Sequence, residues 1–97
     1  MKKTFPLKIP GKVDARVVEA VKNDVRKYVK RERRKPLPDG FTEWEFRCRA
    51  GADAANAMPC QLPELGPKID EVANTGGAQV YIEILAQPGQ RSGQEPV

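Results

Sequence analysis

DARVVEAVKNDVRKYVKRERRK, residues Asp14 to Lys35, is the longest periodic stretch of the chain, and the remaining segments read as packing for it. Val17, Val18, Val21, Val25, Tyr28 and Val29 recur at spacings of one, three and four, which is one face of an α-helix. Asp14, a turn before Val18, predicts a cap for the free backbone N–H groups and suits the positive end of the helix dipole. Pro36 and Pro38 stop the helix, because proline lacks the N–H and pushes its predecessor out of α geometry. Arg16, Arg26, Lys27, Lys30, Arg33 and Arg34 fall opposite the valines, whereas Glu32 returns to the apolar stripe. The pattern predicts a helix that outruns its core, its last basic turn projecting into water.

Charge is concentrated in the same place. Lys22 to Lys35 holds eight Lys/Arg and two acids, a net of +6, while the whole chain is only +4. A slightly acidic body therefore carries one basic stripe. Arg26, Lys27, Lys30, Arg31, Arg33, Arg34 and Lys35 are the candidate residues for binding a polyanion, since phosphates are met by clustered cations. An ordinary solvated helix face reads the same way, and cations near a helix C-terminus are favoured by its dipole whatever they bind.

At 97 residues the chain is expected to form one domain with a modest core. No apolar run is long enough to span a membrane, and the basic start Met1-Lys2-Lys3 is not followed by the hydrophobic stretch of a signal peptide. A cytoplasmic protein with no membrane partner is expected. With no export signal, Cys48 and Cys60 read as structural thiols rather than a disulfide.

Along the chain, Lys2 to Ile9 alternates with Phe5, Leu7 and Ile9 on one side, a half-buried strand that Pro6 places near an edge. Pro10-Gly11 turns into the long helix. After the turn cluster Pro36 to Gly40, residues 41–50 alternate cleanly, with Trp44, Phe46, Cys48 and Ala50 facing in and Glu43, Glu45, Arg47 and Arg49 facing out. Residues 51–56 connect to a short edge strand at 57–62, with Met58, Cys60 and Leu62 inward. Leu65, Ile69, Val72 and Ala73 predict a second helix within 63–74, stopped by Gly76-Gly77. Residues 79–86 are a β-branched run expected to be a central strand.

The element order predicts an α+β fold, a two-layer β-α-β-β-α-β arrangement of the split βαβ, ferredoxin-like kind. Its antiparallel sheet carries both helices on one face. A single domain is expected over residues 1–87, with a disordered tail at 88–97, where almost nothing is apolar. The fold assigns no function by itself. Single-stranded RNA readers stack bases on aromatics of the open sheet face. Here that face offers Tyr81 among Glu43, Glu45, Arg47, Arg49, Glu83 and Leu85, a poor platform.

Catalytic chemistry is thin. The chain has no histidine, the commonest general base and metal ligand. Two thiols without a histidine make no zinc site, and Gly76-Gly77 sits in no phosphate-loop pattern. Glu43 and Glu45 lie beside Arg47 and Arg49 on one strand face, as paired surface charges do. No catalytic residue, metal or cofactor is expected, and the protein reads as a non-enzyme.

Four blocks carry a resemblance: residues 1–7 (MKKTFPL), 25–38 (VRKYVKRERRKPLP), 44–48 (WEFRC) and 81–86 (YIEILA). In this order they resemble a family of small bacterial proteins that carries only a domain-of-unknown-function label, over about residues 1–91. The segment from Ala57 to Pro67 is richer in proline than that pattern. The resemblance implies a bacterial, cytoplasmic protein and carries over no site residues. Two roles follow from the residues. One is a non-catalytic module that binds a polyanion such as structured RNA through the basic helix end. The other is a protein–protein adaptor or assembly subunit that uses the exposed sheet face or a free edge near Tyr81 and Leu85.

Overall fold

The computed structural model describes residues 1–90. In chain order the elements are β1 (Lys2–Pro6), α1 (Asp14–Arg33), β2 (Glu43–Gly51), β3 (Met58–Cys60), a 3-10 turn (Leu62–Glu64), α2 (Leu65–Asn74) and β4 (Gln79–Gly89). The order and type of the elements are those the periodicities predict. Both helices lie on one face of a four-stranded, wholly antiparallel sheet.

The strand order is β1-β4-β2-β3, and here the ferredoxin-like expectation needs correction. A ferredoxin-like sheet puts its first and third strands in the middle. In this protein β2 and β4 are central, and β1 and β3 are the edges. The split βαβ logic survives: β1 and β2 run parallel with β4 between them, and β3 and β4 run parallel with β2 between them. Proline explains the choice. Pro6 in β1 and Pro59 in β3 each lack a ladder donor, so these strands sit where one side needs no partner. β2, which has no proline, and β4, whose Pro88 lies beyond the reach of β1, take the centre.

Val18, Val21, Val25 and Val29 of α1 and Leu65 and Ile69 of α2 pack onto Phe5, Cys48, Ala50, Val80, Ile82 and Ile84. Ile69, Val80, Ile82 and Ile84 are wholly buried. Trp44 and Phe46 are half-buried at the end of β2 that lies under the end of α1.

Local boundaries follow local chemistry. The β1 ladder ends at Pro6, three residues earlier than its alternation suggests, although Leu7 still donates to the Ala78 carbonyl at 2.9 Å. Pro10 and Gly11 are the central residues of a turn closed by Lys12 N–H to Ile9 O at 3.1 Å; Gly11 holds φ +80°, which only glycine adopts without strain. Asp14 is not the cap of α1. Val13 is, without a side-chain bond, and Asp14 lies one position inside, where its charge meets the helix dipole. The helix ends at Arg33 with Arg34 and Lys35 bonded back three residues, a tightened last turn forced by Pro36.

At β3 the expected inward face is partly wrong. Met58 is 64% exposed at the outer edge, whereas Cys60, opposite Cys48, and Leu62, in the 3-10 turn, are half-buried against the core. Regular α2 begins at Leu65, after a reciprocal capping box between Gln61 and Glu64. It ends in a Schellman motif: Gly77 N–H reaches Val72 O and Gly76 N–H reaches Ala73 O, with Gly76 at φ +83°. The strand β4 runs to Gly89, so Pro88 and Gly89 of the expected tail pair with Trp44 and Glu43. β1 reaches only to Glu83 along β4, which leaves Pro88 a side without a partner strand. Residues 91–97 of that tail lie outside the described residues.

Candidate anion-binding site

Lys30, Arg31, Arg33, Arg34 and Lys35 at the end of α1 are exposed, as expected, but that end is tethered to β2. The indole N–H of Trp44 donates to the Lys35 carbonyl at 2.9 Å, and the Arg33 guanidinium lies 5.4 Å from the centre of the Phe46 ring. Glu32, on the apolar stripe, is held by Lys35 at 2.6 Å and accepts from the Tyr28 hydroxyl at 3.3 Å. The Lys35 bond keeps the Glu32 carboxyl below its usual range, and burial, followed by the Glu32 charge, pushes the Tyr28 hydroxyl up. The start of β2 thus tethers the helix end through the Lys35 carbonyl and Arg33.

The cations are aimed in two directions. Arg26, Lys30, Arg33 and Arg34 border a groove of about 670 Å³ between α1 and the segment from Leu62 to Ile69. Its floor is Val25, Val29, Leu65 and Ile69, and its far wall is Leu62, Pro63 and Gly66. No acidic and no aromatic residue lines it. Lys27 and Arg31 point away around the helix, with the Arg31 guanidinium 5.9 Å from the Tyr28 ring, and Lys35 is neutralised by Glu32. Of the seven residues the sequence singles out, four share one concave surface and three do not.

The groove cations differ in how they are engaged. Arg26 bonds Asn23 at 2.6 Å and lies 3.8 Å from Glu19. Arg33 is stacked on Phe46. The side chains of Lys30 and Arg34 have no hydrogen-bond or ion-pair partner among the described residues. Lys22 also borders the groove, but Asp70 of α2 holds it at 2.8 Å. Sequence reasoning missed Lys22, Leu62, Pro63 and Gly66. The recurrence of Lys22, Arg26, Lys30 and Arg33 at helical spacing was readable; the α2 wall was not, because it comes from a distant segment.

Elsewhere the charged side chains are of mixed sign or bonded to one another. A second hollow of about 590 Å³ on the other flank of α1 mixes Lys3, Lys12 and Arg16 with Asp24. On the open sheet face Glu83 accepts from the Tyr81 hydroxyl at 2.9 Å and lies 3.7 Å from Arg49. Tyr81 stands where β4 is paired on both sides, whereas Leu85 lies just past the end of β1, where β4 has a side without a partner strand. Cys48 and Cys60 are free thiols directly opposite each other across β2 and β3. Burial, then the neighbouring Cys60, pushes the Cys48 thiol up to about 11, the wrong direction for a nucleophile. Among the described residues no three His, Cys, Asp or Glu side chains gather as metal ligands, and no helix is long and apolar enough to cross a membrane.

The family model described as a family of unknown function (DUF6172) matches residues 1–95. The chain belongs to that family. The match spans β1 through β4, so the DUF6172 relationship covers the whole sheet and both walls of the groove. No curated protein and no solved structure matches the chain.

Proposed function

We propose that this DUF6172 protein is a non-catalytic module that binds a polyanion, structured RNA being one candidate. The cations of the groove, Arg26, Lys30, Arg33 and Arg34, meet it. The observation that carries this is a concave surface lined by five cations and no acid, two of which, Lys30 and Arg34, have no side-chain partner among the described residues. Lys30 and Arg34, a turn apart on α1 with no ion-pair partner among the described residues, repel one another, and an anion relieves that repulsion. Lys27 and Arg31, on the other side of the helix, extend the positive field without sharing the concave surface.

The sheet face supports the adaptor role less. Leu85, 43% exposed, is flanked there by the Tyr81–Glu83–Arg49 cluster. Both edge strands carry prolines, and β1 adds Lys2 and Lys3, all features that discourage strand addition.

The test is retention of the protein by an immobilised RNA hairpin and by heparin across a salt series. Each phosphate contact releases counterions, so binding falls steeply with salt and the slope counts the contacts. The Lys30→Glu/Arg34→Glu double variant is expected to lose most of the retention and flatten the slope. Binding that ignores salt, or survives the double charge reversal unchanged, rules the reading out.

A further inference from the structure

We infer that the polyanion seated in the groove is an acidic amphipathic helix of a partner protein. This rests on the polyanion reading above and says which chemistry fills the site.

The groove is not built for phosphate alone. Between the cations and Gly66 it presents Leu62 and Pro63 over a floor of valine, leucine and isoleucine. A nucleic-acid backbone has charge for the cations and nothing to cover that wall. Bases have no aromatic partner here to stack on, and stacking is how unpaired bases are held without hydrogen-bond reading. A helix with acids on its flanks and leucine-like residues on one stripe satisfies both parts of the surface at once.

Length and spacing agree. Arg26, Lys30 and Arg33 or Arg34 recur once per turn of α1, so acids spaced a turn apart on a neighbouring helix face them in series. From Lys22 to Arg34 the groove follows α1 for about 18 Å at 1.5 Å per residue, the length of roughly three helical turns. Room is available at the wall, where a Cβ placed on Gly66 meets no atom within 4 Å. Val25, Val29, Leu65 and Ile69 are already no more than 7% exposed. The apolar gain therefore comes from Leu62, Pro63 and the stems of the arginines and lysines. Charge sets the approach and the apolar stripe sets the choice of partner.

Gly66 also supplies the test, because a large side chain there fills the groove without removing any cation. Three probes of equal net charge are titrated against the full chain at low salt. They are a synthetic helical peptide with leucines at three- and four-residue spacing and glutamates elsewhere, a polyglutamate, and a short RNA hairpin. The amphipathic peptide is expected to bind at least ten-fold tighter than polyglutamate. Gly66→Trp is expected to cancel that advantage and leave the weak binding of the other two probes as it was. Circular dichroism checks its folding, and Pro63→Trp on the same wall replaces it should it fail to fold. Equal binding of all three probes, or tightest binding of the hairpin, with Gly66→Trp neutral, overturns the helix assignment and leaves the polyanion reading intact. No binding of any probe overturns both. Equal binding of a peptide with glutamine in place of every glutamate overturns the charge match.

Discussion

Cys48 shows how far a single side chain's setting governs its chemistry. Its thiol is 4% exposed beneath the helices, and burial holds its pKa near 11 against an ordinary 9.0. Below pH 9 both folded and unfolded chains keep the proton, and stability does not depend on this group. Between about pH 9 and 11 the unfolded chain gives up the proton while the folded chain retains it, so stability falls as pH rises. Two pKa units correspond to about 2–3 kcal/mol at the upper end. Chemical denaturation from pH 8 to 11 is expected to show this decline, and Cys48→Ala is expected to flatten it. Gly51 is a second position where one atom decides. A Cβ there comes within 2.9 Å of the Ala57 Cα and the Asn56 carbonyl, backbone that cannot rotate aside. Gly51→Ala is expected to cost about 1–3 kcal/mol by overpacking, visible as a lower denaturation midpoint at unchanged slope.

The helices hold the sheet through unequal contacts. Ile69 of α2 is wholly buried between α1 and the sheet, and Ile69→Ala is expected to lose about 2–5 kcal/mol of stability in a urea titration. The surface link between the helices is worth far less. Lys22 and Asp70 approach to 2.8 Å, but the Asp70 side chain is 48% exposed, and water screens the pair. A double-mutant cycle with Lys22→Met and Asp70→Asn is expected to give a coupling of about 0.5–1 kcal/mol that shrinks in high salt. Element boundaries were legible where the cause is local. Pro10-Gly11, Pro36 and Gly76-Gly77 act through the backbone of their own turns, and each turn or stop lies where the sequence puts it. The extension of β4 through Pro88 was not legible, since it depends on β2 offering a ladder from a distant part of the chain.

For the whole molecule, the +6 segment against a chain of +4 was plain from composition, and the direction of each charge was not. Helical periodicity put Arg26, Lys27, Lys30, Arg33 and Arg34 together opposite the valines, and only the structure separates Lys27 and Arg31 from the rest. Only the packing of α2 made the flank of Arg26, Lys30, Arg33 and Arg34 concave, and only Glu32 removed Lys35 from the set. Lys27→Glu/Arg31→Glu is accordingly expected to weaken polyanion retention much less than Lys30→Glu/Arg34→Glu at the same net charge, read on one salt gradient. By itself the sequence determined the order and kind of the elements, the faces they bury and the family. Those depend on periodicity, proline and glycine, which act over a few residues. The tertiary structure alone decided that β2 and β4 share the centre of the sheet and that the basic helix end lies beside an apolar wall. Strand partners and groove walls come from residues far apart in the chain, and no local pattern records which of them meet.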